Sequence, residues 1–156
     1  MRASKELIVD TLQTVGARHG FKSSGSNRFY RDNVETIGLV NLQASRFGPS
    51  FHLNAAIWLR RLGPERRPKE YNCPVQWRVS SLLPEIEQAQ LAKALDLDCP
   101  MPNAARHNTV ERAIETFGFA LIAQHATEEA TRKLAEYYGS NILVMKTLRE
   151  SWGMAA

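Results

Sequence analysis

Leu39-Val40-Asn41-Leu42-Gln43-Ala44-Ser45, and then Phe51-His52-Leu53-Asn54-Ala55-Ala56-Ile57 beyond Arg46-Phe47-Gly48-Pro49-Ser50, decide how this chain folds. Both segments alternate, and successive side chains of a strand point to opposite faces. Gly48-Pro49 punctuates a turn between them, so the pair reads as a β-hairpin. Val40, Leu42, Ala44, Phe51, Leu53, Ala55 and Ile57 share one face; Asn41, Gln43, Ser45, His52, Asn54 and Ala56 share the other. A loop from Phe47 to Ser50 pairs Arg46 with Phe51, Ala44 with Leu53, Gln43 with Asn54 and Ser45 with His52. A slip of one residue would set polar side chains against apolar ones, which the pattern disfavours.

Upstream, Arg28-Phe29-Tyr30-Arg31 reads as a short strand turning at Asp32-Asn33, with a Ser/Gly-rich connection over Lys22 to Asn27 before it. Two-residue and three-residue loops place Phe29 on opposite faces, so the register of this first hairpin stays open. Ser4 caps a first helix whose Leu7, Ile8, Leu12 and Val15 fall on one arc, and Gly20 ends it near His19 with Phe21 folding back. Downstream, Arg60 to Glu70 carries two prolines and a glycine and reads as a loop; Val75 to Ser80 alternates again as a fourth strand.

Pro84 opens a helix to about Leu95. Asn108 with Glu111 resembles a capping box ahead of Val110, Ala113, Ile114, Phe117 and Leu121, which recur at helical spacing. Thr127 caps a further helix closed by Gly139, and a last helix runs from about Asn141 to Trp152. The fold class is therefore α+β: an N-terminal helix on a four-stranded antiparallel β-meander, followed by three or four C-terminal helices. We expect a single domain over 1–156, with helix plus sheet at 5–83 and a helical half at 84–156.

At 156 residues, 44% hydrophobic and 23% charged, the chain has the composition of a globular protein with a core of ordinary size. No apolar run approaches the ~20 residues of a membrane helix, and Met1-Arg2-Ala3-Ser4-Lys5-Glu6 lacks a signal-peptide pattern, so the expected location is the cytoplasm. The net charge of +4 permits an acidic partner without requiring one. Cys73 and Cys99 lack CxxC spacing, so reduced, inert thiols are expected rather than a zinc site or a disulfide. There is no Gly-rich phosphate loop, G-x-S-x-G elbow or metal spacing, and His19, His52, His107 and His125 are scattered. Sequence thus names no catalytic residue, no metal and no cofactor.

The best candidate site is the polar set Asn41, Gln43, Ser45, His52, Asn54 and Arg78, because amides, a hydroxyl and a guanidinium on one sheet face can orient a ligand. Trp58 falls on the same face and could anchor a partner. A solvated antiparallel face stabilised by cross-strand amide pairs is the commoner explanation of such a pattern. Ser45 opposite His52 resembles a nucleophile and base without a third orienting group. Arg60, Arg61, Arg66, Arg67 and Lys69 form a basic stretch that could meet phosphates or an acidic protein, although charge clusters beside prolines are usually solvated loops.

The run Gly20-Phe21-Lys22, Phe29-Tyr30-Arg31, Asn41-Leu42-Gln43-Ala44-Ser45, Phe51-His52-Leu53-Asn54 and Cys73 with Trp77-Arg78 resembles a bacterial domain-of-unknown-function family, the one numbered 4304. Leu42 stands where that family more often has Phe, an apolar exchange that keeps the alternation. The resemblance covers about residues 5–83; it implies an α+β domain and supplies no activity, substrate or cofactor. The leading expectation is a non-catalytic binding or protein-interaction module of a bacterial cytoplasm, with toxin neutralisation as one form and an acidic protein as partner. The alternatives are a small-ligand or hydrolytic site on the polar face, and nucleic-acid binding through the 60–69 loop, disfavoured because neither an aromatic ladder nor a helix-turn-helix accompanies it.

Overall fold

The structure is a computed structural model that describes residues 5–154. Helix α1 (Lys5–Arg18) precedes five strands: β1 (Lys22–Ser24), β2 (Arg28–Asp32), β3 (Thr36–Ala44), β4 (Phe51–Leu59) and β5 (Val75–Arg78). Then come α2 (Glu85–Ala94), α3 (Asn103–Ile114), a π-helical turn (Glu115–Phe119), α4 (Ala120–Ala123), α5 (Glu128–Tyr138), β6 (Leu143–Val144) and α6 (Lys146–Ser151). The strands form one antiparallel sheet in the order β1-β2-β3-β4-β5-β6.

The sheet has six strands where alternation predicts four. Lys22, Ser23 and Ser24, expected in a connection, lie opposite Tyr30, Phe29 and Arg28 as an exposed edge strand with no apolar signal to announce it. Leu143–Val144, expected inside a last helix, adds a short strand to β5, and the Met145 N–H donates to the Pro74 carbonyl at 2.8 Å. Two residues are too few for a period to show.

The central hairpin forms with its two faces as expected but with a different pairing. Ala44 faces Phe51 rather than Leu53, and Leu42 faces Leu53 rather than Ala55. The turn is longer because the Ser45 N–H donates to the Ser50 carbonyl at 2.8 Å, closing a loop from Ser45 to Ser50. The displacement is two residues, and a strand's side chains repeat every two, so each residue keeps its face. In the first hairpin Phe29 faces Val40 on the core side and Tyr30 faces Leu39 on the reverse.

One sheet face carries the main core. Ile8, Leu12 and Val15 of α1 pack with Phe29, Val40, Leu42, Leu53 and Ile57 and with Val110, Ile114 and Phe119 of the α3 segment. Gly38 of β3 is required here, because a Cβ at this position would overlap the Cγ2 of Ile122. Leu134, Ile142, Val144 and Leu148 join the same cluster with Ile57 and Val75, so the C-terminal elements add to the core face.

The helix expected from Asn108 begins at Asn103, and Asn108 is exposed within it rather than capping it. Its π-turn advances the buried stripe by a residue, as single-turn π-bulges do. Gly118 and Phe119 are therefore buried and Phe117 is only partly so; Phe119 meets Phe21 and Phe29 edge-on at ring separations of 4.7 and 6.0 Å. At the other expected helix starts, the Thr127 hydroxyl accepts from the Ala130 N–H at 3.1 Å, whereas Ser4 lies outside the described residues.

Candidate functional site

The reverse sheet face divides into a covered end and an open end. At the covered end Tyr30, Ile37, Leu39, Ala56 and Cys73 form a small apolar cluster beneath the 60–73 segment, and the Tyr30 hydroxyl donates to the Pro68 carbonyl at 2.9 Å. Trp58 packs on this cluster, away from the amides. Its indole nitrogen is buried without an acceptor, and it borders a separate cleft of about 210 Å³ with Arg61 and Met145.

At the open end a row of polar residues crosses four strands: Arg28 faces Asn41, Asn41 faces Asn54, and Asn54 faces Arg78. The Asn54 amide donates to Gln43 Oε1 at 2.8 Å and to Asn41 Oδ1 at 3.2 Å. Asn41 is buried, Asn54 and His52 are half-buried, and Gln43 and Arg78 are exposed. Sequence therefore placed Asn41, Gln43, His52, Asn54 and Arg78 on one surface correctly. Ser45 leaves the set: Gln43, not Ser45, faces His52, and the Ser45 hydroxyl accepts from the Phe47 N–H at 3.1 Å inside the loop. The nucleophile-and-base pairing of Ser45 with His52 does not form.

Arg28 and Glu70 join the site without having been singled out, because Arg28 could be placed only once the first hairpin's register was known. Glu70 Oε2 and Arg28 Nε are both buried without a hydrogen-bond partner and lie 3.8 Å apart. Glu70 borders a cleft of about 230 Å³ with Asn54, Gln76, Arg78 and Asn141. On its other side Arg78 borders a cleft of about 320 Å³ between the start of β4 and α2, with His52 and Ser80. Burial, and secondarily the Arg78 guanidinium, push the His52 imidazole below its ordinary value of 6.5, so it is neutral at physiological pH.

The basic residues of the 60–69 loop do not make one free patch. Arg60 donates to the Asn33 carbonyl at 2.7 Å and to Asp32 at 3.3 Å; Arg61 grips Glu128 with two nitrogens at 2.6 and 3.1 Å. Arg67 pairs with Asp32 at 3.1 Å and lies 5.0 Å over the Tyr30 ring, and Lys69 stands 6.0 Å from the Tyr71 ring. Arg66 is exposed beside them. Arg61 and the Trp152 indole both donate to Glu128 and hold its carboxyl below the ordinary carboxylate value. These charges tie the loop to the hairpin and to α5.

The remaining histidines lie outside this face and make polar contacts on the helices. His107 Nδ1 and the Thr11 hydroxyl lie 2.8 Å apart, His19 is 3.2 Å from Glu115, and His125 Nδ1 is 2.7 Å from the Leu121 carbonyl. Among the described residues no group of three or more His, Cys, Asp or Glu side chains is placed to hold a metal ion. No helix among them is long and apolar enough to cross a membrane.

A family model described as a domain of unknown function, DUF4304, matches residues 16–129, from the end of α1 to the start of α5. The chain belongs to this family. The DUF4304 match extends beyond the 5–83 segment that carries the sequence resemblance, taking in α2, α3, the π-turn and α4, so these helices are part of the family's common unit. No curated protein and no solved structure matches the chain.

Proposed function

We propose that this DUF4304 protein is a non-catalytic binding module that docks an acidic segment of a protein partner on the open end of its reverse sheet face. The observation that carries this reading is the ordered row ending at Arg78. Its amides are held by one another on rigid strands with Gln43 exposed, while the exposed Arg78 makes no side-chain hydrogen bond or ion pair among the described residues. An acidic segment would supply the charge-assisted acceptor that Arg78 lacks, and the fixed amides would add orientation with little ordering cost. A bacterial cytoplasm, and neutralisation of a toxin within it, is the setting this reading carries. The pairing of Arg60, Arg61 and Arg67 with acids and carbonyls argues against the 60–69 loop as a nucleic-acid surface, since phosphates would have to displace those partners.

Affinity purification from a lysate of the source organism at low salt tests the docking reading, with wild type, Arg78→Glu and Arg66→Glu compared. We expect a partner retained by wild type and Arg66→Glu and lost by Arg78→Glu. No specific partner, or equal retention by all three, would overturn it.

A second reading, a small-ligand site, is favoured by one observation: the cleft of about 320 Å³ beside His52 and Arg78 is large enough to enclose a small molecule.

A further inference from the structure

We infer that the cleft between the start of β4 and α2 binds a small carboxylate with an apolar body, its carboxylate on Arg78 and Ser80 and its hydrocarbon against Phe51 and Ala92. This rests on the small-ligand reading and names the ligand class.

The cleft exists because β5 is short. β5 pairs with β4 only from Asn54 to Ile57, so Phe51 to Leu53 run on past its end. The end of α2 closes the gap: the Phe51 N–H donates to the Leu95 carbonyl at 3.0 Å, and Ser50 bridges to Asp96. The resulting space is lined by the polar Arg78 and Ser80 and by the apolar Phe51, Leu91, Ala92 and Leu95.

Among the described residues the lining contains no acidic side chain, and Arg78 is its one charged group beside the neutral His52. An anion therefore enters without facing a carboxylate. A single guanidinium suits a monoanion held bidentately, whereas a phosphate would call for further cations or a nest of backbone N–H groups. The part-exposed Phe51 ring and the exposed Ala92 methyl, over the buried Leu91 and Leu95, favour a short branched or aromatic body over a purely polar one. A carboxylate seated at Arg78 would also lie near His52 and favour its protonated form.

The test uses the full chain, with isovalerate and phenylacetate as probes, their neutral amides and inorganic phosphate as comparators, and backbone and imidazole resonances as the readout. We expect millimolar or tighter binding of the acids. Ser80, Ala92 and His52 should shift, the His52 titration should move upward, and the amides should bind at least about tenfold more weakly. Arg78→Gln should weaken the acids by about tenfold or more, and Ala92→Glu, which sets a carboxylate on the cleft wall, should abolish binding. Both substitutions fall at exposed positions of the sheet and helix. If the amides or phosphate bind there as well as the acids, the carboxylate assignment falls and the small-ligand reading stands. If none of the probes perturbs the cleft, both fall.

Discussion

The indole N–H of Trp77 donates to the carbonyl of Phe117 at 2.9 Å, joining β5 to the π-turn of the long helical segment. A π-turn departs from the regular helical ladder, and a buried carbonyl without a donor is costly. Trp77→Phe keeps an aromatic ring in the core but removes that donor and leaves a small void. It should lower the unfolding free energy by about 1–3 kcal/mol in chemical denaturation, more than burial of the smaller ring alone would explain.

Arg106 is 1% exposed and its guanidinium is held by carbonyls: Ala94 at 2.7 Å, Asp96 at 2.9 Å and Cys99 at 2.7 Å. These groups include the end of α2, where the helix dipole favours a cation. Arg106→Met fills much of the space but leaves the carbonyls unpaired, so a loss of about 3 kcal/mol is expected from the melting or denaturant midpoint. An unchanged midpoint would show that the carbonyls find water instead.

The two thiols should behave differently. Burial, and secondarily the Glu70 carboxylate, push the Cys73 thiol up to about 12, while Cys99 is partly exposed. The thiolate is the reactive form, so a thiol reagent at neutral pH should label Cys99 in the folded protein and reach Cys73 only on unfolding. Mass spectrometry of the labelled peptides reads this directly.

Much of the site was legible because a strand's period is two. Alternation alone put Gln43, His52 and Asn54 on one face, and a register displaced by two residues left that result intact. Ser45 was misplaced because the loop it enters is closed by its own backbone bond to Ser50, which alternation does not report. Edge strand β1 carries only exposed Lys22, Ser23 and Ser24, so no hydrophobic pattern could reveal it. The π-turn was likewise hidden: a 3.6-residue period projects Phe117 into the core, and only the tertiary contacts of Phe119 with Phe21 and Phe29 show why the stripe advances. Arg106 carries no sequence signal of its burial, since the carbonyls that hold it come from the end of α2 and the loop after it.

His52 gives stability a pH dependence of predictable sign. Its folded value lies below 6.5, so between the two values the unfolded chain binds more protons than the folded one. Stability should therefore decline as pH falls through 6.5 toward the lower folded value, relative to a His52→Asn variant. Parallel denaturation curves at pH 7.5 and at about 5.5 measure the difference. An equal pH response in the two proteins would mean that the imidazole is solvated in both states.

The central claim is that the open sheet end bearing Gln43, Asn54 and Arg78 is where the partner sits. Site-specific photocrosslinking in the source organism tests it most directly, with the photoreactive residue placed at Gln43 in one protein and at the exposed hairpin residue Val34 in another. We predict a discrete protein adduct from position 43 that disappears when Arg78→Glu is added, and none from position 34. An adduct from position 34 with none from position 43, or one at 43 unaffected by Arg78→Glu, would contradict the account.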